Sequence, residues 1–433
     1  MSRQRRQGYL AVLAIRDFRR LWYAQVASEV GDYLARVALI ILIYDRTRSG
    51  LSLSFVLVLT ALPYLTVGLI VSPLVDRTDR KRLLIASDVI RALLFAGIPF
   101  VSNLGVIYLL VFVASCFSPP FEVARGTATP DIVPGDLYPL ANALGSVTFQ
   151  VNQVVGLAVG GVVVAAVGVR SAFFLDALTF LLSAAFITST ALSRAPMERE
   201  PWEGLGAQLR RGMQILFAKG SHLRALVIYL WITPSLVAAA EVLGVIYVRR
   251  NLHMAADTPV GLLLAAVPAG TAAGALFLGR VLPERRYRVL VTMTLLQIVA
   301  MGAVFATPKL GPAFLLWFAA GTGMSSHVLV NVVLVERIPR EKRGRAWAII
   351  QAGMVGSQTL VIAVSGPLAD RIGAATAIGL AGVASVGMLT LIVGSRRSVR
   401  EATTAGFATP PDAPTGDGEV LSSRLHQSAP PQR

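Results

Sequence analysis

Residues 51–75 read LSLSFVLVLTALPYLTVGLIVSPLV, a run without a single Asp, Glu, Lys or Arg. Wound as an α-helix it would rise about 37 Å, more than the roughly 30 Å of a bilayer's hydrocarbon core. Soluble helices that are buried are seldom so long and so neutral. Working outward, similar runs recur, and the reading places spans at 21–44, 51–75, 83–102, 105–121, 140–167 and 171–192. Six more follow at 225–248, 260–279, 289–307, 311–335, 346–369 and 374–394. The 433 residues are 55% apolar and only 15% charged, with a mean hydropathy of +0.65. That is more apolar surface than one or two soluble cores could hide, so lipid must cover the rest. The expected fold class is an all-α membrane protein with twelve transmembrane helices.

The net charge of +16 raises the question of a nucleic-acid partner, which would need a continuous basic face. Here Lys and Arg cluster instead in 1–20, 77–82, 194–224, 280–288 and 337–345, on alternate connections between apolar runs. The tendency of cytoplasmic loops to keep their basic residues explains this pattern and places both termini in the cytoplasm. Cys116 is the only cysteine, so neither a disulfide framework nor a thiolate zinc site is available within one chain. The first residues lack the short apolar stretch of a cleavable signal. The end of the chain is rich in Pro, Ser, Thr and Gly and is expected to be disordered.

A gap-free shift of 205 residues superposes telling positions. Asp131 to Pro134 falls on Glu336 to Pro339, Gln153 on Gln358, Gly168 on Gly373, and Arg80 and Lys81 on Arg285 and Arg286. The chain therefore divides into a cytoplasmic N-terminus (1–20), an N-terminal six-helix bundle (21–192), a cytoplasmic linker (193–224), a C-terminal six-helix bundle (225–395) and a disordered tail (396–433). Parallel repeats of this kind form a substrate site between the halves, near the bilayer midplane.

On the first span, Gln25, Glu29, Asp32 and Arg36 are spaced by four, three and four residues, one stripe of a helix that cannot face lipid. Asp32 lies roughly 16 Å into the span, where an unpaired charge costs about 2.5 kcal/mol or more. Arg36, one turn further on, is the expected partner. The stripe is either a proton or substrate site, since a carboxylate poised between an apolar surrounding and an arginine can load and release a proton, or a structural ion pair inside the bundle. In the fourth span, Ser118-Pro119-Pro120-Phe121-Glu122 breaks the helix beside a carboxylate, with Arg125 three residues on. Glu122 and Arg125 form either a local ion pair or part of the site. His327, at the repeat position of Glu122, is either a hydrogen-bonded core residue or a second titratable group. Glu241 falls at the repeat position of Arg36 and must look inward. Asp88 and Arg91 read as a local pair, and Asp176 as interfacial.

The loop Ser72-Pro-Leu-Val-Asp76-Arg77-Thr-Asp79-Arg80-Lys81-Arg82 resembles the signature loop of the major facilitator superfamily, with Ser72 and Asp79 in place of its two glycines. The resemblance implies that Asp76 and Arg77, supported by Arg80 and Lys81, latch the two halves across the cytoplasmic face; the plain alternative is a basic anchor. Gly156-Leu-Ala-Val-Gly160-Gly161, with Gly145 eleven residues earlier, is similar to the superfamily's antiporter motif, though small residues four apart also make an ordinary packing seam. Gly366-Pro367-Leu-Ala-Asp370-Arg371-Ile-Gly373 has similar wording but falls on the outer side, and reads as a helix terminus and not as a latch. Three further segments look like the drug:proton antiporter branch that includes macrolide and siderophore (enterobactin) exporters: Arg16-Asp-Phe-Arg19-Arg20-Leu-Trp22, Thr129-Pro-Asp-Ile-Val-Pro134 and Ala172-Phe-Phe174-Leu-Asp-Ala177.

No GxxxxGK[ST], HExxH or GxSxG motif occurs, so neither an enzyme nor an ATP-driven pump is expected, and neither a cofactor nor a metal. The expectation is a monomeric secondary transporter in a bacterial cytoplasmic membrane that exchanges protons for an amphipathic small molecule by alternating access. Its alternatives are a gradient-independent facilitator or lysolipid flippase of the same fold, and a transport-dead membrane sensor or scaffold.

Overall fold

In the computed structural model, which describes residues 8–75, 78–192, 210, 213–214, 216–217, 223–304, 309–338 and 340–404, the regular elements are all helical. The first half comprises α1 (Tyr9–Ala14), α2 (Arg16–Thr47), α3 (Gly50–Val75), α4 (Arg80–Gly97), α5 (Leu104–Ser115), α6 (Ser118–Ile132) and α7 (Tyr138–Thr188). The second comprises α8 (Arg224–Ile246), α9 (Thr258–Leu278), α10 (Arg286–Ala303), α11 (Leu310–Met324), α12 (Ser326–Arg337), α13 (Arg340–Ile372) and α14 (Ala374–Gly394), followed by α15 (Arg396–Thr404). Among the described residues nine helical segments are long and apolar enough to cross a membrane. The expected twelve requires in addition that the two arms of α7 be taken separately and that α2 and α10, which miss that test, be included.

Local chemistry sets the boundaries. Asp79 caps α4 by accepting from the backbone N–H of Lys81 (3.0 Å) and Arg82 (3.3 Å), and Asn103 caps α5 through Gly105 and Val106. The fourth span breaks where Ser118 was expected to break it: Pro119 and Pro120 sit in the first turn of α6, where a missing N–H costs nothing. Within α7, Gly168 takes φ 81°, ψ 160°, and between α13 and α14 Gly373 takes φ 86°, ψ 153°. These backbone angles favour glycine, and they fall at equivalent positions of the two halves, so each half reverses direction in the same way.

Helix α7 shows how sequence spacing sorts its faces. Val147, Val151, Val155, Val159 and Val162 form an exposed apolar stripe, whereas Thr148, Asn152, Gly156 and Gly160 are buried. Such a stripe is stable only against lipid.

The cores reveal how the halves meet. At the end where Gly168 and Gly373 turn, here the hairpin end, a single apolar core combines Leu34–Tyr44 of α2 and residues around Gly168 with Val242–Val248, Val260–Ala266 and Ala374–Ala381 of the other half. At the opposite, open end the cores are separate. Leu21, Leu84, Phe121 and Ile187 belong to one half, and Leu226, Leu290, Val333 and Ile350 to the other. The seam at the hairpin end is made of glycines. A Cβ on Gly161 of α7 would lie 2.7 Å from the Cα of Gly261 on α9, and one on Gly50 of α3 would lie 3.0 Å from the Cα of Gly366 on α13. Gly161 and Gly366 are themselves repeat-equivalent.

Two sequence readings change here. Asp370 is more than a helix terminus: its carboxylate accepts from the backbone N–H of Leu51 (3.0 Å) and from Ser49 Oγ (3.3 Å), and stands 3.6 Å from Arg250. It therefore caps the start of α3 from the other half. The tail expected to be disordered from residue 396 begins instead with helix α15, because Val399 and Ala402, three apart, bury against the second half's core and Arg337 donates to the carbonyls of Glu401 and Ala402. Residues beyond 404, most of the 193–224 linker, and Asp76 and Arg77 lie outside the described residues.

Candidate functional site

The stripe predicted on the first span lines a cavity of about 250 Å³ bounded by α2 to α7. Glu29, Asp32, Arg36, Glu122 and Arg125 all reach it, together with Arg91 and the aromatic rings of Tyr33, Tyr64, Phe95, Phe121 and Phe149. Acids and arginines are thus mixed with apolar ring faces in one chamber. At the hairpin end Leu39 joins its wall to the fused core.

The acids are held unequally. Glu29 accepts from Gln25 Nε2 (2.8 Å) and Asn152 Nδ2 (2.9 Å) and stands 3.6 Å from Arg125. Glu122 accepts from the Tyr64 hydroxyl at 2.9 Å. Among the described residues Asp32 has only a 3.5 Å contact with Arg91, and its side chain is 40% exposed to the cavity. Glu29 is therefore fixed by three side chains, and Asp32 is the acid with freedom to change partners.

Arg36 is not the partner of Asp32. It forms a two-pronged ion pair with Glu241 of α8, Nε to Oε1 and Nη2 to Oε2, the latter at 2.8 Å. The two residues are 205 positions apart. Equivalent residues touch each other only close to the axis that relates two copies, so the pair marks the pseudo-twofold axis. A bidentate guanidinium–carboxylate contact is the strong form of such a bond.

One other expectation is revised, for Asp176, and two open alternatives are resolved, for Glu122 with Arg125 and for His327. Glu122 and Arg125 do not pair with each other, since Tyr64 and Glu29 take them. Asp176 is not interfacial but fully buried, because Gly31 lets α7 come close to α2; a Cβ on Gly31 would lie 2.6 Å from Asp176 Oδ1. His327 is not brought to the cavity. It sits on α12 with Nδ1 2.7 Å from the carbonyl of Met324. The local pair of Asp88 and Arg91 is present, Nη2 to Oδ1 at 2.5 Å.

A description of transmembrane secretion effectors within the major facilitator superfamily fits residues 7–414. The chain belongs to that family. It is 27% identical over 386 residues to the MFS-type transporter YfiS of Bacillus subtilis (strain 168), covering 85% of this chain and 91% of the relative. It is 25% identical to the multidrug efflux pump Tap of Mycolicibacterium fortuitum (81% and 88% covered) and 26% identical to the putative bacilysin exporter BacE of Bacillus subtilis (77% and 84%). Among solved structures, the nucleoside transporter NupG superposes with a TM-score of 0.67 at 14% identity, covering 87% of this chain and 99% of that one. An inward-facing, unoccupied bacterial homologue of the lysosomal transporter Spinster gives 0.64 at 13%, with 90% and 97% covered. The fold is that of the superfamily, and the protein is an integral membrane transporter, not an enzyme.

The superfamily motifs can be placed within this fold. Of the glycines resembling the antiporter motif, Gly156 and Gly160 admit α2, with Tyr33 Cβ 2.6 Å and Leu34 Cα 3.2 Å from where their Cβ atoms would be, and Gly161 admits the second half. Gly145 has nothing within 4 Å. In the signature loop Arg80 pairs with Asp131, and Lys81 Nζ donates to the carbonyls of Thr188 (2.8 Å) and Thr190 (2.6 Å). The second half repeats the ion pair with Arg286 and Glu336 at 2.8 Å.

Sequence reasoning missed Tyr64, Asn152 and the central position of Arg91. Asn152 carried a signal, being a polar side chain one turn before the glycines Gly156 and Gly160 on the same buried face. Tyr64 carried none.

Proposed function

We propose that the protein is a proton-coupled exporter that carries an amphipathic small molecule out of the cell by rocking its halves about the Arg36–Glu241 axis. The observation that carries this reading is the loosely held Asp32 in a cavity that also presents aromatic rings: a proton and an amphipathic cargo can compete for one chamber, which is what exchange requires. The fused hairpin end and the separate cores at the open end fit a resting form that faces the cytoplasm, with both termini and the basic connections on that side. The names of the relatives, a multidrug efflux pump and an exporter of bacilysin, point the same way. Asp32 is assigned the exchangeable proton, Arg91 the countercharge, Glu29 and Arg125 the wall, and Asp76 and Arg77 the latch of the open end.

Everted membrane vesicles supplied with external ethidium test this. Acidifying the vesicle interior should drive ethidium uptake, a protonophore should collapse it, and Asp32→Asn should abolish accumulation while leaving downhill flux. Full accumulation by Asp32→Asn would remove that residue from coupling; indifference of the wild type to the protonophore would remove coupling altogether.

A further inference from the structure

Behind the cavity wall, α2, α4 and α7 gather a group of charges of which the exporter reading above uses only Asp32 and Arg91. Asp88 and Asp176 are fully buried and Arg91 is 2% exposed. The Arg91 guanidinium is clamped between the rings of Phe121 (4.8 Å) and Phe180 (4.2 Å), so its place is fixed by packing as well as by charge. It pairs with Asp88 and touches Asp32. Asp176 differs from both. Neither of its carboxylate oxygens, nor Asp88 Oδ2, meets a hydrogen-bond donor among the described residues, and the nearby Thr179 hydroxyl donates to the Asp176 backbone carbonyl at 2.7 Å. The charged groups that act on Asp176 are Asp32 from α2 and Arg91 and Asp88 from α4; Gly31 and the Thr179 hydroxyl stand beside it.

Asp88 and Asp176 around one guanidinium would leave one uncompensated negative charge in an apolar interior, and Asp32, at the cavity edge, draws on the same guanidinium. A carboxylate with no donor there is far costlier than a neutral acid. We infer that Asp176 is a second proton-binding site, closed off from water and reached from the cavity through Asp32. The inference rests on the proton-coupled reading only for its purpose, not for its existence. A proton entering at Asp32 frees Arg91 from that contact, and a proton passed on to Asp176 returns Asp32 to its charged, Arg91-paired form; the O–H bond broken at one carboxyl is formed at the other. The protein would thus carry a proton where the transported molecule cannot displace it directly.

Infrared difference spectra of the purified full-length protein in detergent, with no transported compound, read the C=O stretch of protonated carboxylic acids. The wild type should show this band at neutral pH, and Asp176→Asn should lose most of it. If the Asn variant does not survive purification, Asp176→Ser makes the same comparison. In Asp32→Asn the band should remain but shift several-fold more slowly after transfer to deuterium oxide. A band unchanged in Asp176→Asn would overturn the site, and unchanged exchange in Asp32→Asn would overturn the entry route. Since the band needs no transport, its loss with Asp176 alongside export indifferent to a proton gradient would sink the coupled reading and leave the site standing.

Discussion

The two halves share a scaffold and differ in what they put inside it. At the 205-residue offset, Gln25, Glu29, Asp32, Arg91 and Asp176 of the first half correspond to Leu230, Pro234, Val237, Leu296 and Ala381 of the second. The cavity is lined by first-half residues, and these five matching positions in the second half are apolar. What both halves retain is mechanical: the turns at Gly168 and Gly373, the seam glycines Gly161 and Gly366, and the ion pairs Arg80–Asp131 and Arg286–Glu336. Duplication therefore fixes how the bundles are built, while the chemistry is free to sit in one of them. The second half's Glu241 enters that chemistry at the axis itself.

The largest effect should come from breaking the comparison at the axis. Glu241→Gln leaves Arg36 without its countercharge in the membrane interior and should cost roughly 2–5 kcal/mol, read as a lowered thermal midpoint in detergent. The double replacement Arg36→Met with Glu241→Met should be milder than the single one; equal losses would mean that the pair does not join the halves.

A smaller effect is expected at the seam. Gly161→Ala places a methyl group against Gly261 and should disfavour the closed hairpin end by about 1–3 kcal/mol, seen as faster labelling of a cysteine introduced there. Gly145→Ala, with open space around it, should not change the labelling rate. If the two behaved alike, the glycines would not be what sets the approach of the halves.

The smallest effect sharpens the symmetry. Gly168→Ala and Gly373→Ala should each destabilise by about 1 kcal/mol or somewhat more, and by similar amounts, because the two turns share one backbone geometry. Thermal unfolding of the pair checks this, and a marked inequality would show that the halves carry different loads at their turns.

Much of this fold was legible because membranes demand long neutral runs and because one offset aligned turns, ion pairs and breaks together. The site was legible only in part. Spacing put Gln25, Glu29, Asp32 and Arg36 on one helix face, but spacing along a helix names only neighbours on that helix. Arg36 was given to Asp32 for that reason, whereas packing hands it to Glu241 and supplies Arg91 from α4. Asp176 was misplaced because depth was counted along its own span; Gly31, a residue of another helix, sets its burial. Helix α15 was hidden by its charged composition, although Val399 and Ala402 already had helical spacing.

The seam has one further consequence. Where Gly161 meets Gly261, main chain lies on main chain, so parting the bundles there releases and freezes no side-chain rotamers and gives up only weak dispersion contacts. A joint of that kind works like a bare bearing surface: it guides the swing without deciding which way the molecule rests. At Gly50 and Gly366 the Ser54 hydroxyl also bridges the helices, accepting from the Gly366 N–H at 2.9 Å and donating to the Ile362 carbonyl at 2.6 Å. Beside the seam stand charged contacts that do cross between the halves, Asp370 at the start of α3 and the Arg36–Glu241 pair.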